Sequence, residues 1–407
     1  MGYAAKAIGS GSLAIGYATR AASYSIAAGY NSEASGDYAV AMGYTARSAN
    51  FYAFAMGYNS AALGVASVAM GQNNIAYGNS SMAFGNNDSA HGSNAVALGY
   101  YTKAIGNNSL AAGSYTRAGG QSSFAVGEYS LANGDASFAA GSNAKAIGYL
   151  SFAAGMQDSA IGNYSIVLGT YSRAYGTNAI AMGDNTKAIG YNAVAIGQYA
   201  LATGNNSTAF GFRTNAIGQY STSIGYQSNA GGQYAISMGY ASQASGESST
   251  SIGYYTTAKS YQGLALGFYN DDTDAPIANT ATATDRIFQI GNGTFLARTN
   301  AITVLRNGNT GIGTTAPVQK LEVNGHIRQQ TYSQAVTVPA NGGTSFTWTH
   351  NFGYQPVIMI SLDQTGGGYM DYCTFSYQHN NDNELNIYVV NRSGSNAGGT
   401  VRWIVVY

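Results

Sequence analysis

From Gly29 to Gly267 glycine stands at 33 of 35 positions spaced seven residues apart, with Asn50 and Ser260 at the other two. Alanine precedes that position by two residues in 30 of the 35 cases. The same frame runs through Gly2, Gly9 and Gly16, then slips by one residue between Ser23 and Gly29. A self-similarity this strict decides the fold before any local propensity does. A helix is excluded, because a glycine every second turn costs about 1 kcal/mol each and no apolar a/d pair is sustained. Collagen needs glycine at every third residue. What remains is a strand of about four residues closed by a glycine turn, where glycine takes unusual backbone angles at little cost.

The true period is two heptads. Three residues before alternate glycines stand Ile26, Val40, Phe54, Val68, Met82 and Val96; in the intervening heptads the same place holds Glu33, Arg47, Ser89, Lys103, Arg117 and Lys145. Thr208, Thr222 and Thr250 interrupt the first series, and Ala61, Ile75, Leu131 and Leu201 the second. The expectation is that one heptad buries this position and its neighbour exposes it, giving a 14-residue coil of two short strands. Such coils stack into a parallel β-solenoid. About 18 of them at roughly 4.8 Å would make a rod of roughly 85 Å. All four prolines (Pro276, Pro317, Pro339 and Pro356) lie outside it, as strands that donate hydrogen bonds on both sides require. A coil this thin buries too little apolar area to offset roughly 1–2 kcal/mol of backbone entropy per residue. Burial against other chains is the natural remedy.

Composition narrows the function. Charged residues are 8% of the chain, against about 25% in ordinary domains, yet no run of 18 apolar residues marks a membrane helix. Zero net charge and a pI of 6.9 argue against nucleic-acid binding. Hydrophobic residues at 45% argue against disorder. A single cysteine, Cys373, leaves no disulfide framework and no cysteine-based zinc site. Met1 runs directly into the repeat, so no signal peptide is expected.

Segments such as Asn94-Ala95-Val96-Ala97-Leu98-Gly99 and Asn178-Ala179-Ile180-Ala181-Met182-Gly183 resemble the head repeats of trimeric autotransporter adhesins, over residues 1–267. The resemblance implies a left-handed parallel β-roll with three chains around one axis. Residues 268–284 read as a polar collar, and Asp271-Asp272-Thr273-Asp274 as a solvated turn, since the glycine and distal glutamate of a calcium loop are missing. The runs Gly311-Ile312-Gly313-Thr314-Thr315-Ala316-Pro317 and Lys320-Leu321-Glu322-Val323-Asn324-Gly325 resemble the shaft of phage tail-fibre-like proteins and mosaic trimeric adhesins. In those chains this shaft precedes an interchangeable C-terminal module. No phosphate-loop pattern accompanies the glycines.

Three segments are therefore expected: 1–267, the β-roll repeat; 268–330, the collar and a β-rich shaft; and 331–407, a C-terminal β-sandwich tip. The last holds Trp348, Trp403 and five strand-like runs. The string His350-Asn351-Phe352-Gly353-Tyr354-Gln355-Pro356 is similar to a turn in C-terminal domains of phage fibres. The fold class is all-β throughout.

No catalytic motif, metal site or cofactor is expected. The four histidines form no zinc-protease motif, no nucleophile elbow occurs, and Cys373 reads as a small buried hydrophobe. The comb Arg47, Lys103, Arg117, Lys145, Arg173 and Lys187 reads as a solvated face that keeps the rod soluble, with polyanion binding as the alternative. The 34 tyrosines mostly open heptads and are expected to stack between coils. In the tip, the loop 364–372 and the turn 377–383 mix aromatics with amides and carboxylates, as sugar binding needs. The candidate receptor-binding residues are Gln364, Tyr369, Tyr372, Tyr377, His379, Asn381 and Asp382.

The reading is a homotrimeric extracellular fibre whose repeat is a spacer and whose tip binds a cell-surface receptor, with a glycan favoured over a protein. A tail fibre of a virion or injection system, held at its N-terminal end by a baseplate, is preferred. The rivals are a cell-anchored autotransporter-type adhesin on the bacterial surface, binding through its repeats, and a purely structural spacer. Neither nucleic acid nor membrane insertion is expected, although Val401-x-Trp403-x-Val405-x-Tyr407 imitates an outer-membrane strand end.

Overall fold

Each double heptad forms one five-residue and one two-residue strand, as in Val68–Gln72 followed by Ile75–Ala76. A computed structural model describes residues 2–325, 331–350, 357–363, 373–392, 395 and 397–406, and shows no helix among them. Long strands pair in parallel with long strands one coil on, Val68 opposite Met82 and Gly71 opposite Gly85. Short strands do likewise, Ile75 opposite Ser89, and stack into a 19-stranded sheet. The expected solenoid of 14-residue coils is present, as two sheets lying back to back.

The interior is made almost wholly of small side chains. Alanines two residues before the glycines, such as Ala55, Ala62, Ala69 and Ala76, are fully buried, and Val167 is the largest side chain in their place. Serines at the entry to the long strand close the preceding turn, Ser67 Oγ donating to the Gly64 carbonyl at 2.7 Å and Ser123 Oγ to that of Gly120 at 2.6 Å. One expectation needs correcting. Val40, Phe54 and their successors do not fill the coil: strand alternation sends alanine inward and its neighbours on either side outward.

The glycines fall into two rows with different needs. Gly57, within a long strand, has φ +116°, and a Cβ there would lie 2.0 Å from the Gly71 carbonyl oxygen. Gly64, after a short strand, has no positive φ, although a Cβ would crowd Gly78. Asn50 and Ser260 both belong to this second row. At Ser260 the next coil is displaced, and the hydroxyl donates to the Arg286 carbonyl at 2.6 Å. The frame slip costs one turn residue, so Leu13 pairs with Ile26 while the ladder continues unbroken.

The solenoid continues past Gly267. Leu264 pairs with Phe288 and Gly267 with Gly291, so the segment between Phe268 and Arg286 loops out of one enlarged coil. Antiparallel strands Asn300–Leu305 and Thr310–Ile312 then end the parallel stack. Buried amides fill the last coils: Gln289 Oε1 accepts from Asn300 Nδ2 at 2.9 Å and from Asn270 Nδ2 at 3.2 Å. The acidic turn is ion-paired rather than solvated. Arg286 reaches Asp271 at 2.8 Å and Asp274 at 3.7 Å, Arg298 reaches Asp272 at 3.2 Å, and Lys259 Nζ donates to the carbonyls of Asp272 and Asp274.

Residues Gly325–Tyr407 form a separate compact unit. Strands Thr331–Val338, Ala397–Val406 and Val357–Asp363 make one antiparallel sheet, and Gly343–Thr349, Glu384–Asn391 and Cys373–Asn381 make another. Val338, Ile358, Val401 and Trp403 from the first meet Leu385, Ile387 and Val389 from the second in one core. Two sheets around one core are a sandwich.

Candidate interaction surfaces

Three outward surfaces are built by these elements. The first is the outer face of the long strands. Each contributes two apolar side chains, one on either side of the buried alanine: Val40 and Met42, Phe54 and Met56, Val96 and Leu98. Where the first row turns to Thr208, Thr222 and Thr250, the second holds Phe210, Ile224 and Ile252. Phe124, Phe138 and Phe152 stack at 5.1 and 4.7 Å with nearly parallel planes. Met42 is 40% exposed and Phe210 51% exposed, and neither row holds a charged residue. An unbroken apolar strip of this length marks a contact surface.

The second surface is the outer face of the short strands, on the opposite side of the coil. It carries the basic comb, with the Arg47, Lys103, Arg117, Lys145, Arg173 and Lys187 side chains all exposed. Turns beside it are held in the left-handed region, where asparagine and tyrosine are the most frequent residues, as in Asn59 (φ 50°) and Tyr115 (φ 55°). Asparagines there form amide ladders, Asn59 Nδ2 donating to Asn73 Oδ1 at 3.1 Å and Asn178 Nδ2 to Asn192 Oδ1 at 3.0 Å. Tyrosines stack as expected, Tyr101 on Tyr115 at 5.2 Å and Tyr115 on Tyr129 at 4.9 Å.

The third lies in the tip. Gln364, Tyr369 and Tyr372 are outside the described residues. The segment read as a turn is mostly strand, Cys373–Asn381, with only the hairpin bend beyond it. Tyr377 pairs with Ile387 and His379 with Leu385, both fully buried, so these two residues share the core-facing side of the sheet, where His379 is half-buried and Tyr377 remains 36% exposed. Asn381 holds its own bend by accepting the Asn383 amide at 2.8 Å, and Asp382 sits exposed at its tip. The outward residues are Gln378 and Asn380, inside the segment 377–383 but not among the seven candidates, together with Thr347, Asn386 and Tyr388, which the sequence reading passed over. Asn386 joins them, accepting from Thr347 Oγ1 at 2.7 Å and donating to Asn380 Oδ1 at 3.0 Å. The period-two alternation from Thr374 to Asn380 was the signal for this face. Burial lowers the pKa of His350, and His379 lowers it further.

Between residues 1 and 267 two carboxylates, Asp88 and Asp158, are buried, in the inward row that elsewhere holds Ser60, Asn74 and Thr102. Asp88 accepts from the Thr102 amide and hydroxyl, both at 2.7 Å, and from the Gly99 amide at 2.9 Å. Asp158 accepts from the Ser172 amide at 2.9 Å. Burial raises both, Asp158 to about 6, against the backbone amides that favour the anion. Among the described residues no cluster of His, Cys, Asp or Glu has the makings of a metal site.

The repeat profile of the YadA head domain matches the chain in eleven stretches between residues 1 and 270, including 22–46, 90–116, 188–214 and 244–270. This chain belongs to the YadA head repeat family. It is an adhesin-type fibre of surface-exposed, extracellular character, and its repeat architecture is structural rather than enzymatic. No curated protein matches the chain closely enough to add a more specific activity.

Proposed function

We propose that three copies of this YadA-type chain assemble side by side, that the solenoid is their spacer, and that the tip attaches the fibre to a cell-surface receptor, a glycan in the first instance. The unbroken apolar strip on the long strands carries the assembly. A coil filled with alanine and serine has little core of its own, and Phe124, Phe138 and Phe152 gain burial only from a neighbour. A straight parallel stack would bring the same strip of each copy together, coil against coil. At the tip, the outward amides and phenol of Asn380, Asn386 and Tyr388 offer sugar hydroxyls donors and acceptors, beside the exposed Asp382. Three weak sites on one rod gain avidity without new contacts. A tail-fibre setting, with a baseplate at the N-terminal end, and a bacterial-surface setting share this mechanism. Light scattering on the full chain, with whole-cell binding measured against a chain ending at Asn324, tests both halves. A stable monomer would end the first, and undiminished binding without the tip would end the second.

A further inference from the structure

We infer that the short-strand face of the solenoid is a docking surface for a linear sulfated polysaccharide lying along the fibre axis. The proposal takes from the preceding reading only that sister copies cover the opposite, long-strand face; it does not depend on the tip. The argument begins with charge placement. On the short-strand face between Thr45 and Ser245, one outward row holds Arg47, Lys103, Arg117, Lys145, Arg173 and Lys187 and no carboxylate, and Arg213 stands in the turn beside it. None of these seven forms an ion pair among the described residues; the Arg20–Glu33 pair lies nearer the N-terminal end of the same row. Glu128 and Asp184 end long strands and Asp135 stands in a turn; Asp135 accepts the Gln121 amide at 2.8 Å and Asp184 the Gln198 side chain at 2.9 Å. A chain with no net charge thus concentrates its cations on one side of the rod.

Solubility alone does not require one sign on one face, since mixed charges serve it as well. Nor does this face suit contact with a sister copy, because like charges would be buried without partners. From Lys103 to Lys187 the cations follow a straight row about 29 Å long, separated by one or two coils of roughly 4.8 Å. That matches one extended polymer with an anion on nearly every monomer. Amides and phenols flank the row: Asn143 and Asn185 are half-buried, Tyr115 and Tyr171 exposed. These suit hydroxyl groups. Single-stranded nucleic acid would want free aromatic faces for its bases, and the rings of Tyr101, Tyr115 and Tyr129 are occupied by one another. A polysaccharide is the better occupant.

The test uses the full chain, with heparin and dextran sulfate as probes and uncharged dextran and single-stranded DNA as comparators. Both sulfated polymers are expected to bind, with affinity falling about a hundredfold between about 50 and 200 mM salt, as release of counterions from some five contacts predicts. Replacing Lys103, Arg117, Lys145, Arg173 and Lys187 together by Gln is expected to weaken binding about tenfold or more, while Glu128→Gln with Asp184→Asn leaves it intact or stronger. Circular dichroism and the oligomeric state report whether the five-site variant still folds; if it does not, Lys103→Gln with Arg117→Gln is expected to show a smaller loss in the same direction. The proposal is overturned if the sulfated polymers fail to bind at low salt, if the folded charge-neutralised chain binds like the original, or if dextran or DNA binds as tightly. A monomer by light scattering would remove the trimer reading, whereas heparin binding would still report on a row contained within one chain.

Discussion

The buried carboxylates are the residues at which the solenoid departs furthest from its own rule. Its inward row donates to glycine carbonyls one coil on: Ser60 Oγ to Gly71 at 3.0 Å, Asn74 Nδ2 to Gly85 at 2.7 Å, Ser130 Oγ to Gly141 at 2.8 Å. An ionised aspartate there has nothing to donate. The protonated Asp158 is therefore favoured in the fold, in keeping with a carboxyl raised to about 6 by burial. A raised carboxyl adds stability that is complete below its unfolded pKa of about 4 and is lost as pH climbs through about 6. Asp158→Asn, which copies the native Asn74, is expected to stabilise the chain by about 2–3 kcal/mol at pH 7.5 and hardly at all near pH 4. Denaturant midpoints at the two pH values would show this, and an equal gain at both would contradict it. The glycine rows allow a second residue-level forecast. Gly57→Ala places a side chain at φ +116° against a backbone carbonyl and should cost more than about 2 kcal/mol. Asn50→Gly, in the row without positive φ, should change stability by less than about 1 kcal/mol. Thermal unfolding of the two variants reads the difference directly.

At the scale of strands and turns, the period told almost everything about the repeat. Seven-residue glycine spacing and its doubling specified coil length, parallel stacking and the exclusion of proline, because each is a backbone requirement repeated in every coil. Spacing did not reveal which side of the long strand faced inward. Alanine beside Val40 or Phe54 looked like filler next to a core residue, yet the space between the two sheets takes mainly alanine, with serine or Val167 at a few coils. The continuation of the ladder through Phe288-Gln289-Ile290-Gly291 was hidden by the looped-out segment before it, and the arginines that pair with Asp271, Asp272 and Asp274 were distant in sequence. In the tip, reading Tyr377 to Asn383 as a turn obscured the alternation that separates core-facing Tyr377 and His379 from outward Gln378 and Asn380. Gln364, Tyr369 and Tyr372 fall outside the described residues. The collar pairing supplies its own forecast. Arg286 is buried, with two carboxylates beside it, and Arg286→Ala should cost about 3–5 kcal/mol. The loss would appear as early proteolytic cleavage between Phe268 and Asp285, and an unchanged cleavage pattern would show that the pairs are dispensable.

For the molecule as a whole, the coil's two faces divide the work that one thin solenoid cannot do alone. In the assembly and docking proposed above, the apolar rows of the long-strand side, which hold no charge, serve cohesion, and the cationic row of the other side, free of carboxylates between Thr45 and Ser245, serves contact with something outside. This polarity has a mechanical consequence. If the strip were merely tolerated exposure, replacing Phe138 by Asp would cost little, since its ring is partly solvated in the single chain. If sister copies cover it, the same change buries three carboxylates near one another, each deprived of water and facing its like. The fibre should then dissociate, or require acid to assemble. Phe138→Asp is accordingly expected to yield monomers or aggregates at pH 7.5 by multi-angle light scattering, with trimers partly restored near pH 4 as the carboxyls protonate. Lys145→Asp, on the opposite face one turn further along the chain, should leave the trimer intact at both pH values. A Phe138→Asp chain that remained trimeric at neutral pH would place the contact elsewhere on the rod and remove the reason for the apolar strip.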